Sequence, residues 1–115
     1  MFDYRNLDVW AVAHELTIGV YRHTSTFPVE ERFGLVSQLR RAATSIGANL
    51  AEGSGHDSRN EVRRFARIAA GSAAEVQYLL EVARDTGMLE AGVADHLLRL
   101  AHRAKRMLRG LIRSL

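Results

Sequence analysis

The sequence contains no cysteine and only one proline, Pro28, among its 115 residues. The absence of cysteine excludes disulfide bonds and thiolate metal sites, and it is typical of proteins in a reducing compartment. No apolar run approaches the roughly 20 residues that a membrane-spanning helix needs. The first residues also lack the apolar segment of a signal peptide. These absences predict a cytoplasmic protein that is mostly helical.

Apolar residues recur at steps of three and four along four stretches, which is helical spacing. The predicted helices cover roughly residues 7–26, 31–53, 58–86 and 90–114. Pro28 followed by two acids predicts the start of helix 2, and "SRNE" at 58–61 is a capping box for helix 3. Gly53, Gly55 and Gly87 predict helix ends. Four such helices with short loops predict an all-α fold, a single antiparallel up-down four-helix bundle over residues 1–115.

The predicted core follows one face of each helix. Helix 2 has the most regular face, consisting of Val36, Leu39, Ala43, Ile46 and Leu50. The predicted core of helix 3 is Phe65, Ala69, Ser72, Val76, Leu79 and Ala83, which leaves an outer face of small residues at Ala70, Gly71, Ala73 and Ala74. Gly47 in mid-helix costs roughly 0.5–1 kcal/mol relative to alanine, which indicates a close backbone contact within the bundle or between subunits.

The net charge is only +3, but the up-down order of the helices separates the charges. One end of the predicted bundle holds ten basic residues against five acidic ones, and the other end holds six against eight. Helix 3 supplies Arg59, Arg63 and Arg67 to the first end, and helix 4 supplies Arg103, Arg106, Arg109 and Arg113. Cations suit the C-terminus of helix 4, but those of helix 3 oppose the helix macrodipole. An anionic partner explains them better than helix stability does.

Residues for catalysis or metal binding form no recognisable pattern. No histidine follows a glutamate by three residues, the spacing found in di-iron bundles, and no nucleotide-binding glycine motif occurs. The "GSG" at 53–55 is a weak phosphate-binding motif, for which a tight turn is the alternative. We expect no enzyme activity, no metal and no cofactor.

Polar residues around "SIGANLAEG" at 45–53 predict a structural network. Ser45, Asn49 and Glu52 fall on one flank of helix 2, in line with Arg41. Glu75 borders the core of helix 3, where a buried carboxylate needs a partner. We expect a salt bridge from Glu75 to Arg40 or Arg41, and the network lies either within one subunit or between subunits.

Three stretches resemble a known family: "LDVWAVAHEL" at 7–16, "FPVEERFGLVSQLRRAATSIGANLAEGSG" at 27–55 and "RRFARIAAGSAAEVQYLLEVARDTG" at 63–87. The family consists of bacterial four-helix-bundle proteins first described from 23S rRNA intervening sequences, and the accessory variability determinant of diversity-generating retroelements has the same fold. This sequence departs mildly at Gly47 and Leu50, where the family often has Pro and Ile. The resemblance implies a homopentameric ring. By analogy with the retroelement relative, it also implies nucleic-acid binding and association with a reverse transcriptase.

The sequence therefore predicts a non-enzymatic oligomeric protein that binds RNA, DNA or a nucleic-acid-processing partner through its basic end. The expected contacts are the seven arginines of helices 3 and 4. The alternative is a protein–protein scaffold whose arginines meet an acidic protein partner.

Overall fold

The computed structural model describes residues 2–115, which form four α-helices and no strand. Helix α1 spans Asp8–Thr24, α2 Leu35–Ser54, α3 Arg59–Asp85 and α4 Ala91–Ser114. Short 3₁₀ turns at Tyr4–Asn6 and Val29–Glu31 precede α1 and α2. Each helix packs against its neighbours in the sequence, and α4 packs back against α1. The predicted all-α bundle is confirmed, and it is 44 Å long.

The core lies between the four helices and is almost entirely aliphatic. Its largest fully buried side chains are Leu16, Val20, Leu39, Ile46, Val76, Leu80, Leu97 and Leu108. The predicted core of α2 is confirmed in full. On α3 the prediction is wrong in part, because Ala73 is fully buried whereas Phe65 and Ser72 are only half-buried. Helix α3 packs against both α2 and α4, so its buried face is wider than one stripe and includes Ala73.

Two predicted helix ends are also corrected. Helix α2 begins at Leu35 rather than near residue 31, because Val29–Glu31 closes a separate 3₁₀ turn before Gly34. Gly53 lies inside α2 and is buried, and a Cβ there would lie 3.1 Å from the Cβ of Phe65. This glycine therefore lets α2 and α3 approach closely where they converge. Gly87 has a φ of 77° and ends α3 as predicted.

A hydroxyl network joins α2 to α3 within the chain. The hydroxyls of Ser45 and Ser72 lie 2.9 Å apart, and Asn49 Nδ2 donates to Ser45 Oγ at 2.9 Å and to the Ser45 carbonyl oxygen at 2.8 Å. Arg41 and Glu52, which the sequence places on the same flank, are exposed. The central part of the polar stripe therefore sets the register between two neighbouring helices.

The salt bridge predicted from Glu75 to Arg40 or Arg41 is not formed within residues 2–115 of one chain. Arg40 turns toward α1, where its Nε donates to Thr24 Oγ1 at 3.0 Å and its guanidinium lies 4.7 Å from the ring centroid of Tyr21. Glu75 is exposed and forms no ion pair within residues 2–115, although it lines a cleft with Arg41. The prediction failed because Glu75 lies on the solvent side of α3, so it needs no buried partner.

Thr24 should therefore contribute measurably to stability. It is buried, and its hydroxyl donates to the Val20 carbonyl oxygen at 2.7 Å while it accepts from Arg40. Thr24→Val leaves the Arg40 Nε–H without an acceptor, which should lower the free energy of unfolding by about 1–3 kcal/mol. Urea unfolding measures the change. Thr26→Val, at an exposed position, is the matched control, and equal stability of the two variants would contradict this role.

Candidate nucleic-acid interface

The seven predicted arginines lie at one end of the bundle, on the start of α3 and the end of α4. Six of them are exposed and Arg63 is half-buried. Lys105 Nζ of α4 donates to Gln77 Oε1 of α3 at 2.9 Å, which identifies the flanks along which these two helices meet. Arg63 lies about four turns before Gln77 and Arg109 lies about one turn after Lys105. By this register the two arginines lie on opposite sides of the outer groove between α3 and α4, about 15 Å apart along its length.

These seven cations are not neutralised by the chain. None of them forms an ion pair with any residue from 2 to 115. Arg63 Nη1 donates to the amide oxygen of Asn60 at 2.9 Å, which orients its guanidinium without cancelling the charge. The ion pairs found at this end, Arg5–Asp3 and Arg64–Glu61, involve other arginines. The surface is consequently cationic and free to meet an anion.

Arg64 differs from the neighbouring arginines because its guanidinium contacts other side chains of α3. Its Nη2 lies 3.0 Å from Glu61 Oε2, and its guanidinium lies 4.4 Å from the ring centroid of Phe65, on which His56 stacks. The hydrogen bond from Arg64 lowers the pKa of the Glu61 carboxyl, and the same bond raises the pKa of Arg64. Glu61 therefore stays ionised at neutral pH and cancels the charge of Arg64.

The placement of the α3 arginines works against helix stability. Ser58 caps this helix, since its Oγ accepts from the Glu61 N–H at 3.4 Å. Arg59 follows in the first turn, where the positive end of the macrodipole disfavours a cation by a few tenths of a kcal/mol, and Arg63 follows in the second turn, where the effect is weaker. The arginines of α4 lie near a C-terminus, where the dipole favours them. Helix stability therefore does not explain the arginines at the start of α3.

Lys105 is one of the ten basic residues assigned to this end from the sequence, and a structural role for it was not predicted. Its side chain is half-buried and ties α4 to Gln77 of α3. A lysine close to the apolar face of an amphipathic helix was the available signal. Among residues 2–115 no group of His, Asp or Glu side chains is arranged to hold a metal ion. No helix in that range is long and apolar enough to cross a membrane.

The fold and this end define a small helical bundle with a dense cationic surface. The family model for the 23S rRNA-intervening sequence protein matches residues 5–110, so the chain belongs to that family. A crystal structure from Bacteroides thetaiotaomicron VPI-5482, of a protein with unknown function from the S23 ribosomal protein family, has a TM-score of 0.81 to this chain. The two are 23% identical over 90% of this chain and 97% of that one, which shows the fold alone. No curated protein matches the sequence.

The ion pair between Glu61 and Arg64 should have a measurable effect on the pKa of Glu61. Because the pKa of Glu61 is lowered in the folded state, the pair persists above the ordinary glutamate pKa and is lost as the pH falls through the lowered value. Arg64→Gln should return the Glu61 pKa toward its ordinary range in a carboxyl-carbon NMR titration. Arg67→Gln, which removes an exposed arginine of the same helix, should leave it unchanged. Equal effects of the two variants would contradict the pairing.

Proposed function

We propose that this protein is a non-enzymatic, oligomeric nucleic-acid-binding protein whose basic end makes the contact. The observation that carries the proposal is the set Arg59, Arg63 and Arg67. None of the three forms an ion pair within residues 2–115, and Arg59 stands in the first turn of α3, where the macrodipole disfavours a cation. A surface that is kept at a cost to helix stability is best explained by an anionic partner.

The chemistry of the surface favours phosphate. A guanidinium presents a planar fork of donors that binds a phosphate with two parallel hydrogen bonds. The groove between α3 and α4 is flanked by such groups on both sides, Arg63 on α3 and Arg109 on α4. Contacts to phosphate fix position and orientation but do not read the base sequence. We therefore infer low sequence specificity and a strong dependence on salt.

The family name supports a partner connected with nucleic acid. Its name refers to 23S rRNA intervening sequences, and the resemblance to the retroelement accessory protein adds a reverse transcriptase as a possible associate. We infer a cytoplasmic homo-oligomer, with five copies expected from the resemblance, that binds RNA or DNA beside such a partner. Several basic ends in one assembly would engage one nucleic acid together, which raises the affinity above that of a single copy.

The binding should weaken steeply with salt. If six or seven phosphates are contacted, affinity for a short fluorescein-labelled RNA duplex should fall by about 10³-fold or more between roughly 50 and 200 mM salt. Arg106→Ala with Arg109→Ala should weaken binding and reduce the slope of log affinity against log salt by about 2. Adding Arg63→Ala and Arg67→Ala should abolish the anisotropy change that reports RNA binding. Fluorescence anisotropy measures each of these quantities.

The matched control removes two exposed arginines from the other end, Arg22→Ala with Arg99→Ala. This variant loses two positive charges, as the variant carrying Arg106→Ala and Arg109→Ala does. It should bind RNA with nearly the affinity and the salt dependence of the parent protein. Unchanged binding by the folded four-arginine variant would contradict the proposed surface. No binding of RNA or DNA by the parent protein at low salt would overturn nucleic-acid recognition and leave the acidic-protein scaffold as the better account.

A further inference from the structure

The connection between α1 and α2 exposes two large apolar side chains at the end of the bundle opposite to the basic end. Phe33 is 88% exposed and Val29 is 75% exposed, which makes them the two most exposed large apolar residues between positions 2 and 115. Side chains this exposed bury little area within the chain, so their contribution to its stability is small. Apolar groups that are exposed together and rimmed by polar residues mark surfaces at which a protein binds another molecule.

Two adjoining open clefts lie beside these side chains. The first, the Thr24 cleft, has a volume of roughly 300 Å³, and Val29 forms part of its apolar wall. The second, the Tyr21 cleft, has a volume of roughly 340 Å³, and Phe33 forms part of its wall. Arg32, Val36 and Arg40 line both clefts, so the two form one continuous surface. We call the two clefts together the loop surface.

The loop surface is locally cationic, although it lies at the more acidic end of the bundle. Arg32, Arg40 and Arg41 line it, and no aspartate or glutamate does. None of these arginines forms an ion pair with any residue from 2 to 115. Glu30 and Glu31 belong to the neighbouring 3₁₀ turn but line neither cleft. The surface therefore suits a ligand with one or two negative charges and disfavours one with many.

Arg40 is held in place for binding by its contacts to α1. It donates through Nε to Thr24 Oγ1 at 3.0 Å and through Nη2 to the Tyr21 carbonyl oxygen at 3.4 Å. These bonds use two of the five N–H donors of a guanidinium, which leaves the others for a bound group. The guanidinium also lies 4.7 Å from the ring centroid of Tyr21. Since Arg40 is already ordered, binding through it costs little conformational entropy.

The mixture of apolar walls and few cations fits a peptide better than an RNA strand or a membrane. An RNA strand carries a phosphate at every nucleotide, so it would also meet Glu30, Glu31 and the excess of acids at this end. An anionic membrane surface would meet the same acids. A peptide segment needs only one or two carboxylates, and its apolar side chains match the exposed Phe33 and Val29. Tyrosine, phenylalanine and arginine are also the residue types enriched at protein interfaces.

We propose that the loop surface binds a short segment of a partner protein that combines aromatic or aliphatic side chains with one or two carboxylates. A carboxylate of the segment accepts charge-assisted hydrogen bonds from Arg40 and Arg32. Its apolar side chains occupy the two clefts, against Val29 in one and Phe33 in the other. This site is at the opposite end from the basic surface, so the protein binds its peptide partner independently of nucleic acid.

Selection from a random peptide library on the immobilised parent protein tests this site. Enriched sequences should pair aromatic or aliphatic residues with Asp or Glu. A fluorescein-labelled synthetic copy of the most enriched sequence should bind in fluorescence anisotropy, and Phe33→Ser and Arg32→Gln should each weaken its binding by about tenfold or more. Both positions are exposed, so both variants should keep the circular dichroism of the folded bundle. Failure to enrich any sequence, or enrichment of basic ones, would overturn the proposal.

Tyr78→Ser and Arg22→Gln are the matched controls. They remove an exposed aromatic ring from α3 and an exposed arginine from the same bundle end, and neither residue lines the loop surface. Both variants should bind the peptide with the affinity of the parent protein. Equal binding by the Phe33→Ser variant, or displacement of the peptide by single-stranded RNA, would overturn the proposal. A lower assembled mass of the Phe33→Ser variant in light scattering would assign the surface to contact between copies and overturn it too.

Discussion

The register between α2 and α3 is the constraint on which the rest of the structure depends. It is set by the hydroxyl contact of Ser45 with Ser72 and by Gly53, which lets Phe65 approach α2. A hydrogen bond is directional and favours one register, whereas the hydrophobic effect that drives aliphatic packing is non-directional. This register positions the start of α3, and with it Arg59, Arg63 and Arg67, at the same end as the last turns of α4.

The distribution of charge then gives each face of the bundle a separate role. The groove between α3 and α4 carries arginines that the chain does not neutralise, whereas the groove between α1 and α2 carries almost no charge near Trp10. An uncharged groove lined by an indole and by glycine and alanine suits close packing against another helix.

The sequence sufficed to predict the bundle because apolar residues at helical spacing dominate its signal, as the five buried core residues of α2 demonstrate. It failed for Arg40, because the sequence pattern pointed to the carboxylate of Glu75 and gave no sign of the Thr24 hydroxyl that Arg40 contacts in the structure. It also failed at Ala73, because alanine is a weak hydrophobic signal and α3 packs against two helices. The basic end could be predicted from the order of the helices. The hydrogen bonds that Arg64 and Lys105 form within the chain could not be predicted, because they depend on side-chain geometry that sequence spacing does not encode.

A salt titration of RNA binding tests the central claim most directly, because contacts to phosphate make affinity depend on salt. The account predicts that log affinity for an RNA duplex falls linearly with log salt, and that the slope becomes less steep by about 2 when Arg63 and Arg67 of α3 are both replaced by alanine. A slope that is unchanged in that variant, or a parent protein that binds neither RNA nor DNA at low salt, would contradict it.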